Sequence, residues 1–188
     1  MSKANPADES RLVRQAQQGD RNAYSELIRM HAQGVQRVIY RMCGDQDLAE
    51  DAAQDTFIQA WLKLSSYKPD SSLRNWLYRI AVNTAIDTLR REKHILPDDV
   101  DELPLADTEF GPETAYIHAE RTAAVHKAIA ALPDASRAVL ILREYEDLSY
   151  REIAETLDIP LGTVMSRLSY ARKLLKEELA HHLEVVYA

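Results

Sequence analysis

Cysteine occurs once in this chain, glycine five times and phenylalanine twice. No apolar run approaches the roughly 20 residues of a membrane span. The lone Cys43 excludes an internal disulfide and a cysteine-rich zinc site, and reads as a small apolar core residue. The opening stretch MSKANPADESRLVRQ lacks a run of signal-peptide type, so the expectation is a soluble cytoplasmic protein. Scarce Gly and Phe, set against many Ala, Leu, Arg and Glu, favour helices over sheets. A hydrophobic fraction of 46% is enough for a buried core, and 188 residues make one large domain or two small ones. His31, His94, His118, His126, His181 and His182 show no metal-ligand spacing with carboxylates, and Cys43 has no evident base partner. No catalytic constellation, metal site, cofactor or small-molecule substrate is expected.

Basic residues are missing from one place in particular. Residues 96–118, LPDDVDELPLADTEFGPETAYIH, contain seven acids and no Lys or Arg, which alone matches the net charge of −7 of the whole chain. The flanks are close to neutral: 14 basic and 12 acidic side chains in 1–95, and 9 basic and 11 acidic in 119–188. A Pro- and Asp-rich stretch between two helical patterns reads as a linker, 96–118, joining domains 1–95 and 119–188. Two readings of it stand: a solvated, self-repelling spacer, or an acidic strand that fills a basic channel on a partner.

What the chain does contain is clearest in LSYREIAETLDIPLGTVMSRL, residues 148–168. Ser149 with Glu152 forms a capping box, with Leu148 and Ile153 as its staple. Asp158 suits the turn because Asp visits the left-handed region more readily than most residues. Pro160 suits the start of a second helix. At about 100° per residue, Val164, Leu168, Ala171 and Leu175 form an apolar stripe. The other side carries Met165, Ser166, Ser169, Arg172, Lys173 and Lys176, with Thr163, Arg167 and Tyr170 beside it. Small donors early in a second helix, followed by cations, are what a recognition helix needs for base edges and phosphates. The plainer alternative is a surface helix of a bundle.

Two earlier helices carry further patterns. DLAEDAAQDTFIQAWLKL, residues 47–64, is expected to be capped by Asp47 with Glu50. Ala53, Phe57, Ala60 and Leu64 make its core stripe, while Asp51, Gln54 and Asp55 interleave with Ile58, Trp61 and Leu62. Acids mixed with large apolar groups fit a protein-docking face, or equally a helix buried on two sides. SSLRNWLYRIAVNTAIDTLRRE, residues 71–92, has one buried stripe of Leu73, Leu77, Ile80 and Thr84 and another of Tyr78, Val82, Ala85 and Leu89. Between them runs a ridge of Trp76, Arg79, Asn83 and Arg90, suited to stacked bases and phosphate, or to a half-packed Trp with Arg in solvent. Tyr67 and Lys68 precede it in what reads as a loop.

Taken in order, DLAEDAAQDTFIQAWLKL, NWLYRIAVNTAIDTLRR and LREYEDLSYREIAETLDIPLGTVMSRL resemble the bacterial sigma factors of the extracytoplasmic-function group. The resemblance runs from about Leu12 to Leu179. It implies an all-α chain with an N-terminal region 2 bundle and a C-terminal region 4 helix-turn-helix, joined by the acidic linker. The implied activity is promoter-specific transcription initiation by an alternative, non-enzymatic subunit serving a stress or envelope response. Implied partners are core RNA polymerase, through its β′ clamp and β subunit, promoter DNA, and an anti-sigma factor that is often membrane-anchored. By position, Asp51, Gln54, Asp55 and Trp61 fall where the family docks on polymerase. Tyr67, Lys68, Trp76, Arg79 and Asn83 fall on the minus-10 DNA. Arg143, Thr163, Ser166, Arg167, Ser169, Tyr170, Arg172 and Lys173 fall on the minus-35 duplex. Met165, Ser169 and Tyr170 stand where relatives often carry basic residues, so the resemblance leaves the minus-35 base preference open. In the family the linker runs through the polymerase's nucleic-acid channel, where an acidic segment mimics RNA.

Overall fold

The computed structural model describes residues 6–69, 71–95 and 122–186, and the regular structure among them is helical throughout. The acidic stretch expected as a linker lies outside the described residues. α1 (Pro6–Gln17) opens on Pro, which has no N–H to leave unpaired, with Asp8 and Glu9 in its first turn. α2 (Arg21–Cys43) is capped by Asp20, whose carboxylate accepts from the Asn22 and Ala23 amides. It ends at Gly44, in the left-handed region at φ 74°, whose amide donates to the Tyr40 carbonyl.

α3 (Gln46–Lys63) is capped by Asp45, which accepts from the Leu48 amide. The expected cap, Asp47, lies instead within the first turn. Because α2 stops at Gly44, only one residue is left to join the helices, and that residue takes the cap. The buried side of α3 is small: Ala49, Ala52, Ala53, Thr56 and Ala60. Small side chains let α3 lie close against α2 and α4. A 3₁₀ turn over Leu64–Ser66 leads to α4 (Leu73–Ile95). Leu73, Leu77, Tyr78, Ile80, Val82 and Ala85 are buried on it, while Thr84 and Leu89 of the two expected stripes are only partly buried.

The second half holds α5 (residues 122–130), α6 (Asp134–Glu144), α7 (Tyr150–Leu157) and α8 (Leu161–Val186). Ser136 to Leu142 of α6 are buried without interruption, so this helix is the centre of its half. α7 and α8 both pack on it. The two halves touch where α2 meets α6 and α4 meets α7. There the Glu146 side chain, 3% exposed, receives Nε of Arg37 at 3.2 Å, Nη2 of Arg37 at 3.3 Å, and the Tyr78 hydroxyl. Nearby, the buried Arg137 guanidinium donates to the carbonyl of Met42 on α2 and, at 2.8 Å, to that of Leu132. Arg41 lies over the Tyr145 ring, 4.1 Å from its centre.

Gly34 on α2 makes this junction possible. A Cβ at that position would stand 2.6 Å from the Tyr78 hydroxyl. An ordinary helical Gly→Ala change gains roughly 0.5–1 kcal/mol. Here Gly34→Ala is expected to lose about 1–3 kcal/mol, because the added methyl displaces the hydroxyl from Glu146. In the Gly34→Ala, Tyr78→Phe double variant the clash is gone, and chemical denaturation should show a loss smaller than the sum of the single losses.

Candidate protein-docking and nucleic-acid interfaces

Asp51, Gln54 and Asp55 are exposed on α3, and Ile58 and Leu62 continue the same face at 56% and 66% exposure. Trp61 is half-buried, with its ring 4.8 Å from that of Tyr24. The Tyr24 hydroxyl donates to the Phe57 carbonyl, and burial pushes its pKa up to about 12. The apolar groups most open to a partner are therefore Ile58 and Leu62, which sequence reasoning placed on this face without singling them out. Their spacing from Asp51 and Asp55 at helical repeats was the available signal.

Behind this face, an open groove of about 590 Å³ separates α3 from α4. Gln59 and Lys63 line one side, and Trp76, Arg79 and Asn83 the other. Asp55 closes one end through an ion pair with Arg91 at 3.5 Å. Residues expected to meet protein and residues expected to meet DNA thus share one helix pair. Tyr67 is buried rather than open: its ring packs 5.2 Å from Trp76 and its hydroxyl donates to the Ser71 carbonyl at 2.7 Å. Gln17 of α1 holds the same turn by donating to the carbonyls of Leu64 and Tyr67, both at 3.0 Å. Lys68 is exposed beside it. Arg79 reaches across to Asp158 at 3.1 Å, joining the ridge on α4 to the turn after α7.

Both ends of α7 have the geometry their residues imply. The Ser149 hydroxyl accepts from the Glu152 amide at 3.2 Å, and the Glu152 carboxylate accepts from the Ser149 amide at 2.8 Å. The bonds to Ser149 hold the Glu152 carboxyl below its ordinary pKa. Asp158 sits in the left-handed region at φ 54°, ψ 51°. The Pro160 carbonyl then accepts from the Thr163 and Val164 amides, starting α8. Val164, Leu168 and Ala171 are buried, and Leu175 is partly buried.

The outer face of α8 exposes Met165, Ser166, Ser169, Tyr170, Arg172 and Lys173, with Thr163 and Arg167 half-exposed. The Ser166 hydroxyl donates back to the Thr163 carbonyl at 3.1 Å. Arg172 pairs with Glu144 at 2.6 Å, and Lys173 with Glu177 at 3.8 Å. Arg143 is half-buried: it donates to the Leu148 carbonyl at 2.9 Å and lies beside the Tyr150 ring, which fixes the approach to α7.

Among the described residues no group of three or more His, Cys, Asp or Glu is placed to hold a metal ion. No helix among them is long and apolar enough to cross a membrane. Burial pushes the Cys43 thiol up to about 12, so it is uncharged at neutral pH.

Comparison with known proteins places the chain in a family. Residues 27–95 match Sigma-70 region 2, and residues 122–175 match Sigma-70, region 4. The chain is 39% identical over 164 residues to the ECF RNA polymerase sigma factor SigE of Mycolicibacterium smegmatis, spanning 85% of this chain and 63% of that one. It is 36% identical over 182 residues to the RNA polymerase sigma-H factor of Pseudomonas aeruginosa, spanning 91% of this chain and 93% of the relative. Among solved structures, CnrH in complex with the cytosolic domain of CnrY superposes with a TM-score of 0.68 at 25% identity, over 93% of this chain and 98% of that one. Matches to both regions in order, and this identity over nearly the full length of a relative, make the chain a member of the extracytoplasmic-function sigma factors of the sigma-70 family.

Proposed function

We propose that α3 docks this chain on core RNA polymerase, that the ridge on α4 handles the melted minus-10 strand, and that α8 reads the minus-35 duplex. In this reading residues 1–95 and 119–188 are the two working domains, joined by the acidic segment 96–118. The observation that carries it is the shared α3–α4 pair. Exposed Ile58 and Leu62 stand beside Asp51, Gln54 and Asp55, and an aromatic, a cation and an amide line the groove behind them. A partner gripping the outer face of α3 thereby sets the position of Trp76, Arg79 and Asn83. Docking through anchors of this type, with charge complementarity around them, is how protein interfaces obtain affinity.

The same reading places the chain in the cytoplasm with polymerase, as a response factor for stress or envelope signals. It also assigns control in trans to an anti-sigma factor, membrane-anchored as is common in the family. CnrH, the similar solved protein, was captured with the cytosolic domain of CnrY, which supports regulation by a bound partner.

The direct test is transcription from a promoter library with purified core polymerase and the full chain. New start sites, absent with core alone, are the expected result, and their absence would remove the proposal. Two sets of variants separate docking from folding and from melting. Leu62→Asp should keep stability within about 0.5 kcal/mol, because the side chain is exposed. It should weaken competition for core enzyme by about 2–4 kcal/mol, as should Asp55→Arg. Trp61→Ala should lower stability by about 1–3 kcal/mol as well, because its ring packs on Tyr24. Asn83→Ala should spare core binding but weaken permanganate reactivity of minus-10 thymines, and a premelted bubble template should restore most of the activity.

A further inference from the structure

Three large apolar side chains are exposed in the second half of the described structure, and all three lie in the first ten residues of α8. Leu161, Met165 and Tyr170 are 49%, 54% and 50% exposed. Elsewhere among the described residues only Ile58 and Leu62, on the docking face of α3, are large, apolar and exposed. Apolar groups gathered at one place on a soluble surface mark a contact face. At about 100° per residue, Met165 and Tyr170 are the two edges of the side opposite Val164, Leu168 and Ala171, with Ser169 and Ser166 between them.

Several of the polar groups around this face are engaged within the protein. Ser166 gives its hydroxyl proton to the Thr163 carbonyl, Arg143 bonds the Leu148 carbonyl, and Arg172 pairs with Glu144. What projects from the edges is a thioether and a phenol ring. The charge nearby points to the occupant: Arg172, Lys173 and Lys176 follow, Arg172 and Lys173 meeting Glu144 and Glu177 in the free chain, and no carboxylate occurs in the sequence between residues 159 and 176. That run suits a polyanion better than a protein surface of mixed charge. On the major-groove edges of a duplex, the apolar group is the 5-methyl of thymine, and apolar side chains distinguish thymine through it.

We propose that Met165 and Tyr170 are specificity-determining residues that read thymine methyl groups in the minus-35 duplex, which makes the preferred element thymine-bearing where α8 enters. The proposal rests on the reading that α8 lies in the major groove, and it adds what is read there. Met165, at the N-terminal end of the helix, makes the deeper contact, since early residues of a recognition helix meet base edges.

The test uses holoenzyme reconstituted from the full chain and core polymerase, with a duplex library randomised across the minus-35 element. Selection should enrich thymine on one or the other strand at two positions. Replacing each enriched thymine by deoxyuridine removes only the methyl group and should weaken binding by about threefold to fivefold, the effect of one methyl. Met165→Ala should bind thymine and deoxyuridine templates equally at one position, and Tyr170→Ala at the other, with melting temperatures unchanged because both side chains are exposed. Met165→Arg should shift the preference at its position toward guanine. Enrichment without thymine, or a deoxyuridine penalty that persists in both alanine variants, would overturn the proposal while leaving the groove reading intact. Equal loss on all templates in Met165→Ala would also overturn it and assign this face to a protein contact. No enriched sequence at all, with polymerase still bound, would instead defeat the reading that α8 enters a groove.

Discussion

Glu146 carries its carboxylate on a side chain that water hardly reaches, and the groups that meet it, Arg37 and Tyr78, come from the other half of the chain. A buried carboxylate stripped of its partners costs several kcal/mol, so the helices bearing Arg37 and Tyr78 and the segment bearing Glu146 must be positioned together. The bond to Glu146 holds the Arg37 guanidinium above its ordinary pKa. Burial, and then the same carboxylate, push the Tyr78 hydroxyl up. Both therefore remain protonated donors across the physiological range. Gly34 supplies the space for the hydroxyl, and Arg137 ties α6 to the end of α2 through the Met42 carbonyl. The contact of Arg79 with Asp158 is a consequence of this placement, since α4 and the turn after α7 then lie side by side.

Around that junction the surface divides by chemistry. Among the described residues, large apolar side chains are left in water at two places, the outer face of α3 and the start of α8. The first is ringed by carboxylates and an amide, the second by cations, so the two suit partners of opposite charge. This resolves an apparent conflict in the sequence. A net charge of −7 is the wrong sign for a DNA reader, but the excess is matched by the seven acids of 96–118 and is not on α8. An acidic chain held on a larger enzyme need not neutralise most phosphates itself, and free in solution it avoids non-specific DNA.

Local chemistry was legible in the sequence, and tertiary cover was not. The Ser149–Glu152 box, the left-handed Asp158 and the buried stripe of Val164, Leu168 and Ala171 each depend on residues within one or two turns, so spacing suffices to read them. The cap of α3 was misread because Asp45 and Asp47 have the same chemistry. Only the stop of α2 at Gly44 decides between them. Trp61 falls on the acidic face of the wheel, yet Tyr24 from α2 covers it. Tyr67 lies in a turn, yet Trp76 and Gln17 enclose it. A helical wheel has no neighbours on it. The Glu146 junction had no local signal at all, because its arginine lies 109 residues away.

That distance has a consequence for the order in which the molecule is made. Chains emerge N-terminus first at roughly 5–20 residues per second, so α4 is complete about 3–10 s before Glu146 has been synthesised. Through that interval Arg37 and Tyr78 are without their carboxylate, and what α1 to α4 have to pack on is their own core, with Leu27, Val35, Ile39 and Met42 of α2 and Leu77 of α4 beside the alanine-lined side of α3. The N-terminal helices are therefore made before the carboxylate that joins them to the second half.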